Sequence, residues 1–223
     1  PFFRHLDFDV FEAGGGELGA CNLCGIIFRI TDSEEEKKIE AIYKSKEYLL
    51  HEEPHTKKVD EYYEPVSLSF LQATLLKEFL SVKNASVLDI GCFDGTLLKE
   101  ISDNYNAIDL CGFDVAERPQ FPKSGVFRFV SGEISDVEGE FDLITLSHSM
   151  QYIKDIVCLF EQINRLLKPC GKVFVQVPNY SLKPCSLLLG DLFYHYSEGA
   201  IVCVFDKYGF NVSIINSNWF PRD

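Results

Sequence analysis

Two carboxylates and two glycines carry the first chemistry. Asp89 precedes Gly91 and Gly95, and a second acid, Asp114, closes Gly112-Phe113-Asp114, 25 residues after Asp89. Gly91 lets a chain turn sharply off a strand, and Gly95 lets it pass a bound group with no Cβ in the way. A carboxylate at the end of the following strand accepts both hydroxyls of a ribose. Together these residues specify an adenosine-containing ligand and no more. A dinucleotide wants Gly-x-Gly-x-x-Gly for close pyrophosphate approach. This chain offers Gly-x-x-x-Gly with Phe93 in the middle position, so an NAD-dependent oxidoreductase is disfavoured.

A second chemistry sits near the start. Cys21-Asn22-Leu23-Cys24-Gly25 can place two sulfurs on one tetrahedral zinc, with glycine accepting the tight turn behind them. Structural zinc takes four ligands, and the chain has no second Cys-x-x-Cys pair; His5 is the candidate third ligand. Cys21 and Cys24 therefore read as a metal half-site, or as free thiols or a close disulfide. Cys111, Cys158 and Cys203 fall in apolar patterns and are expected to be small buried hydrophobes.

The elements that must position these groups follow from periodicity. Residues 86–90, 107–113, 126–130, 143–146 and 172–177 read as short buried strands. Helical spacing recurs at 96–102 and at Ile156, Leu159, Phe160, Ile163, Leu166 and Leu167. Strand and helix in alternation imply an α/β, doubly wound and mostly parallel sheet with ligands at the carboxyl ends of its strands. Upstream, Thr31-Asp32-Ser33 offers N-caps before Glu34, Glu35 and Glu36. The stretch 47–61 is a charged connector interrupted by Pro54, and Leu68, Leu71, Leu75, Leu76 and Phe79 mark an amphipathic helix placed to cover a ligand. The expected organisation is a cysteine-bearing segment with connector over 1–64 and a ligand-binding domain over 65–223.

Bulk properties narrow the partners. The 223 residues, 46% of them apolar, suit one α/β domain with an appendage. The formal charge is -13, with no Lys/Arg cluster, which disfavours nucleic acid and docking on an anionic membrane. With no basic-then-apolar leader and no run of 18 apolar residues, a cytoplasmic protein acting on a small molecule is the default expectation. Oligomeric state leaves no mark in the sequence.

Val87-Leu88-Asp89-Ile90-Gly91-Cys92-Phe93-Asp94-Gly95 resembles the first motif of class I S-adenosylmethionine-dependent methyltransferases, and four further features stand in that family's order. Asp114 matches the ribose acid, and Ser131-Gly132-Glu133-Ile134 matches the loop beside the adenine. Residues 141–153 match the fourth strand with its following loop, and 166–179 match the helix end, turn and fifth strand. The resemblance covers 85 to about 216. It implies a Rossmann-like sheet, S-adenosylmethionine as cofactor, and cofactor contacts from Asp89, Gly91, Cys92, Gly95, Asp114, Val115, Glu133 and Ser147. On the acceptor side it points to His148, Tyr152, His195 and Tyr196 as catalytic candidates. Three departures stand out: Phe93 where glycine is commoner, Tyr152 where many relatives have histidine, and a terminal strand around 211–215 expected to be short, rearranged or truncated. The segment beginning Cys21-x-x-Cys24 is similar to sugar C-methyltransferases with an N-terminal zinc module, which implies a sugar or sugar-nucleotide acceptor. A catalytically silent S-adenosylmethionine-binding or scaffold protein is the alternative reading.

Overall fold

The computed structural model describes residues 7–13, 16–45, 56–57, 66–80, 84–105, 107–118, 120–122 and 125–213. His5, most of the connector 47–61 and the expected boundary between 64 and 65 lie outside the described residues. In chain order the elements begin with β1 (Phe8–Ala13), β2 (Gly16–Cys21), β3 (Ile27–Ile30) and α1 (Ser33–Lys44). A short pair, β4 (Thr56–Lys57) and β5 (Val66–Ser67), leads to α2 (Leu68–Leu75) and β6 (Ala85–Ile90). Then come α3 (Thr96–Asn104), β7 (Ala107–Asp114), β8 (Phe127–Ser131), β9 (Phe141–Ser147), α4 (Ile156–Leu166), β10 (Leu167–Gln176), β11 (Tyr194–His195) and α5 (Glu198–Lys207).

The chain divides into two compact units that interleave along the sequence. One takes residues 40–147 and 161–175; the other takes 1–39, 148–160 and 176–223.

The first of these holds a five-stranded sheet in the order β10-β9-β6-β7-β8, with β6 parallel to both β7 and β9 and β7 parallel to β8. All six residues of β6 are buried, as a strand covered on both faces requires. Val87, Leu110 and Leu143 share one core with Leu97, Leu98 and Ile101 of α3, with Ala73 of α2 and with Leu76 just after it. Each such side chain contributes roughly 1.5–3 kcal/mol by leaving water. The chain runs from β6 outward through β7 and β8, then returns to β9 on the other side of β6. That reversal places the ligand-binding end of the sheet at the carboxyl termini of β6 and β7.

The second unit holds an antiparallel sheet in the order β1-β2-β3-β11. Tyr194 and His195, far along the chain, pair with Phe28 and Ile27 of β3. The cysteine turn is a hairpin connection within this sheet: the Cys21 amide donates to Ile26 (2.9 Å), the Gly25 amide donates to Cys21 (2.9 Å), and Gly25 adopts φ +71°. Asp32 caps α1 as expected, its Oδ1 accepting from the amides of Glu34 (2.9 Å) and Glu35 (2.8 Å). A cluster around fully buried Phe160 stacks it on Tyr208 at 4.1 Å and sets it edge-on to Phe205 at 4.9 Å.

The described part of the proposed terminal strand, residues 211–213, is irregular, and 214–215 lie outside the described residues. The expectation of three buried cysteines is corrected: Cys111 is fully buried, Cys158 is half-buried and Cys203 is exposed, the last because the buried line of α5 runs through Ala200, Val204 and Phe205 and misses it.

Candidate cofactor site

In the parallel-sheet unit the glycine turn follows β6 directly. Gly91 (φ +79°) and Gly95 (φ +78°) both take left-handed backbone, which favours glycine. The amides of Gly91 and Cys92 both donate to the Phe113 carbonyl, at 2.8 and 3.1 Å, tying the turn to the end of β7. A Cβ at Gly95 would lie 2.7 Å from the Phe121 ring and 2.9 Å from Pro122. Glycine is thus required there by the chain's own packing, beyond any approach to a ligand. Asp94 starts α3, its Oδ1 accepting from the Thr96 amide (3.0 Å) and hydroxyl (2.6 Å). Phe93 is also left-handed, at φ +48°, which costs a non-glycine residue roughly 1–3 kcal/mol.

Asp89 is buried near the end of β6 and accepts from Thr145 Oγ1 at 2.7 Å. Burial pushes its carboxyl up to about 7, with Asp114 adding to the shift and the Thr145 hydrogen bond opposing it. A carboxyl so placed gains from any cation brought next to it. Cys92 is buried too, and burial holds its thiol well above the ordinary range, so it lines the turn as a neutral group. Asp114, at the end of β7, is 5% exposed and accepts three hydrogen bonds: from the Phe93 amide (3.1 Å), the Ala116 amide (3.2 Å) and Arg118 Nη2 (2.7 Å). Val115 beside it is exposed. Glu133, also exposed, opens a short turn over Ile134–Asp136 and exchanges capping hydrogen bonds with Asp136. Ser147 ends β9, and its hydroxyl accepts from Gln72 Nε2 of α2.

Two residues here escaped the sequence reading. Gln72 is a buried polar side chain on the apolar face of α2; one amide among Leu68, Leu71 and Leu75 was its only sign. Arg118 is 4% exposed, and its only sign was a spacing of four from Asp114.

The acceptor-side candidates all belong to the other unit. His148 has φ +54°, donates its amide to Gln176 (2.8 Å) and accepts from Gln151 Nε2 at its carbonyl (2.9 Å). Tyr152 is half-buried in the turn Met150–Tyr152. That turn lies beside β11, where Phe193 N–H donates to the Gln151 carbonyl (3.0 Å). His195 is 3% exposed, and both ring nitrogens lack a hydrogen-bond partner among the described residues. Burial, with help from the nearby Arg29 charge, pushes its imidazole down to about 4. Burial likewise drives the Tyr196 hydroxyl well up. Arg29, buried in β3, donates to the carbonyls of Leu192 (3.4 Å) and Leu189 (3.3 Å).

Cys21 and Cys24 are free thiols; Cys21 is buried and Cys24 half-buried. Among the described residues no group of three or more His, Cys, Asp or Glu side chains is arranged to hold a metal ion. Two sulfurs do not complete a structural zinc site.

The strand order reversing at β6, the left-handed glycine turn and two buried carboxylates at the strand ends define a doubly wound domain of the adenosine-ligand-binding class. The profile of the family described as "Methyltransferase domain" matches residues 46–213, and the chain belongs to that family. It is similar to a trans-aconitate 2-methyltransferase of Deinococcus radiodurans, 28% identical over 99 residues covering 42% of this chain and 38% of that protein. It is also similar to a ubiquinone biosynthesis O-methyltransferase of Pseudomonas aeruginosa, 27% identical over 124 residues covering 51% and 53%. The chain thus spans about half or less of the length of these curated relatives. Among solved structures, the magnesium protoporphyrin IX methyltransferase of Synechocystis with bound S-adenosylhomocysteine superposes with a TM-score of 0.56 at 12% identity, covering 80% of this chain and 91% of that one. The fold is that of class I S-adenosylmethionine-dependent methyltransferases. Among the described residues no helix is long and apolar enough to cross a membrane.

Proposed function

We propose that the chain binds S-adenosylmethionine at the carboxyl ends of β6 and β7 and transfers its methyl group to a small-molecule acceptor. The observation that carries this reading is Asp89: a buried carboxyl, raised to about 7, beside a left-handed glycine turn in a chain of the methyltransferase family. Such a group suits the cationic amino end of the cofactor. Gly91, Cys92 and Gly95 line the turn, Asp114 takes the ribose, Glu133 and Val115 flank the adenine end, and Ser147 closes the β9 side.

S-adenosylmethionine, when bound, supplies an electrophilic methyl on a sulfonium, so the protein needs only to align an acceptor and accommodate its proton. His148, Tyr152, His195 and Tyr196 are the acceptor-side candidates. His195, held at about 4, is neutral at physiological pH and serves better as a hydrogen-bonding group than as a base. The similarity of the cysteine segment to sugar C-methyltransferases favours a sugar or sugar nucleotide as acceptor.

Calorimetry with S-adenosylmethionine, S-adenosylhomocysteine and NAD tests the reading. Binding of the first two is expected; binding of NAD alone would sink it. Methyl-donor binding with no turnover across a broad acceptor panel of sugars, sugar nucleotides and carboxylic acids would favour the silent protein.

A further inference from the structure

Asp114 is already engaged. Its Oδ2 accepts from the Phe93 amide, and its Oδ1 accepts from the Ala116 amide and from Arg118 at 2.7 Å. A carboxylate offers about four lone-pair sites, and a ribose diol brings two O–H donors. With three sites in use, one present donor must yield for both hydroxyls to bind. Two of the three are main-chain amides, held by the glycine turn and by the loop leaving β7. The third is a side chain.

We propose that Arg118 competes with the ribose for Asp114 and so determines how strongly the site discriminates for the 2′- and 3′-hydroxyls. The proposal rests on the reading of Asp114 as the ribose acid. Its second support is the way the arginine is held. On one side Glu117 Oε1 accepts from Ser131 Oγ (2.9 Å); on the other the Phe121 amide donates to the Arg118 carbonyl (3.0 Å), and the Phe121 ring is buried against Gly95 and Gly112. The guanidinium lies 5.1 Å from the centre of the Phe93 ring, within cation–π range. Phe93 is the residue that departs from the family's usual glycine. The departure and the arginine are one device: the left-handed turn presents a ring, the ring steadies a guanidinium, and the guanidinium occupies the acid. Side-chain exposures of 4% and 6% for Arg118 and Asp114 leave this pair little screened by water.

A ligand with ribose hydroxyls must displace a charge-assisted contact, whereas one lacking them leaves it in place. The test compares S-adenosylhomocysteine with its 2′,3′-dideoxy analogue by calorimetry on wild type, Arg118→Gln and Arg118→Lys, with a thermal melt of each. Without the guanidinium, Asp114 is short of a donor that the hydroxyls restore. The ribose-over-dideoxy affinity ratio should rise roughly tenfold in Arg118→Gln, with Arg118→Lys between it and wild type. A purely structural arginine would change both affinities together. A ratio that is unchanged or lower in the folded variants overturns the proposal; should Arg118→Gln fail to fold, the Arg118→Lys ratio decides. Failure of wild type to bind either ligand overturns the cofactor reading itself, and the proposal with it.

Discussion

The two compact units differ in how they hold the buried groups of their candidate sites. In the parallel-sheet unit every buried acid of the site is partnered inside the fold: Asp89 by Thr145, Asp114 by two amides and Arg118. In the antiparallel unit, Arg29 donates to two main-chain carbonyls and pairs with Glu35 at 3.8 Å, while His195 and the Tyr196 hydroxyl find no partner among the described residues. The first arrangement holds its acids in place by the fold's own donors. The second leaves donors and acceptors whose satisfaction is worth energy to whatever reaches them.

The contrast can be broken hardest at Arg29. Arg29→Met leaves the Leu189 and Leu192 carbonyls without their donor and should cost roughly 2–3 kcal/mol, read from the denaturant midpoint at constant slope. A variant as stable as wild type would mean that these contacts, at 3.3 and 3.4 Å, do not hold the segment.

At the other site Asp89→Asn keeps shape and removes charge, so S-adenosylhomocysteine affinity should fall roughly tenfold or more. Because the wild-type carboxyl sits at about 7 and a cationic ligand group favours its ionised form, wild-type affinity should decline as pH drops below 7. The variant's profile should be flat. A wild-type profile flat from pH 5.5 to 8 would remove Asp89 from contact with the ligand's charge.

The same carboxyl sharpens the contrast through stability. Its folded-state value lies above the ordinary 3.8, so its contribution is fully present below about 4 and is lost as pH rises through about 7. Melting temperatures of the ligand-free protein should therefore fall across that window by several degrees more in wild type than in Asp89→Asn. Equal slopes would show that the proton is not held there.

The smallest expected effect concerns His195. Its ring resonances should titrate near 4, leaving them unchanged across the neutral range; a midpoint above 6 would restore it as a proton acceptor.

The parallel sheet was legible because its signal is local. Strands such as β6, apolar on both faces, and helices such as α4, with Leu159, Phe160, Ile163 and Leu166 at helical spacing, carry their assignment in their own residues, and the motif order then named the site at Asp89, Gly91, Gly95 and Asp114. What stayed hidden depends on partners distant in sequence or on geometry outside any repeat. Two residues, Tyr194 and His195, become a strand only because β3 offers an edge, and no pattern of period two fits in so short a piece. Arg118 lies in a loop, where a spacing of four from Asp114 carries no meaning until the turn brings the groups together. The cysteine pair announced a tight hairpin turn from its own residues, but a four-ligand metal site is assembled from side chains distant in sequence, which the spacing of one pair does not carry.

The pairing of β11 with β3 also has a consequence during synthesis. Ile27 and Phe28 are made before their partners, and His195 and Tyr194 leave the ribosome only after more than 160 further residues. Until then the outer edge of β3 is an unpaired strand, the kind of surface to which other nascent chains can add. Loop closure over such a separation is slow, so the parallel-sheet unit has time to form first. Chains cut short before residue 194 should keep that edge bare and aggregate, even though every residue of the glycine turn is present in them.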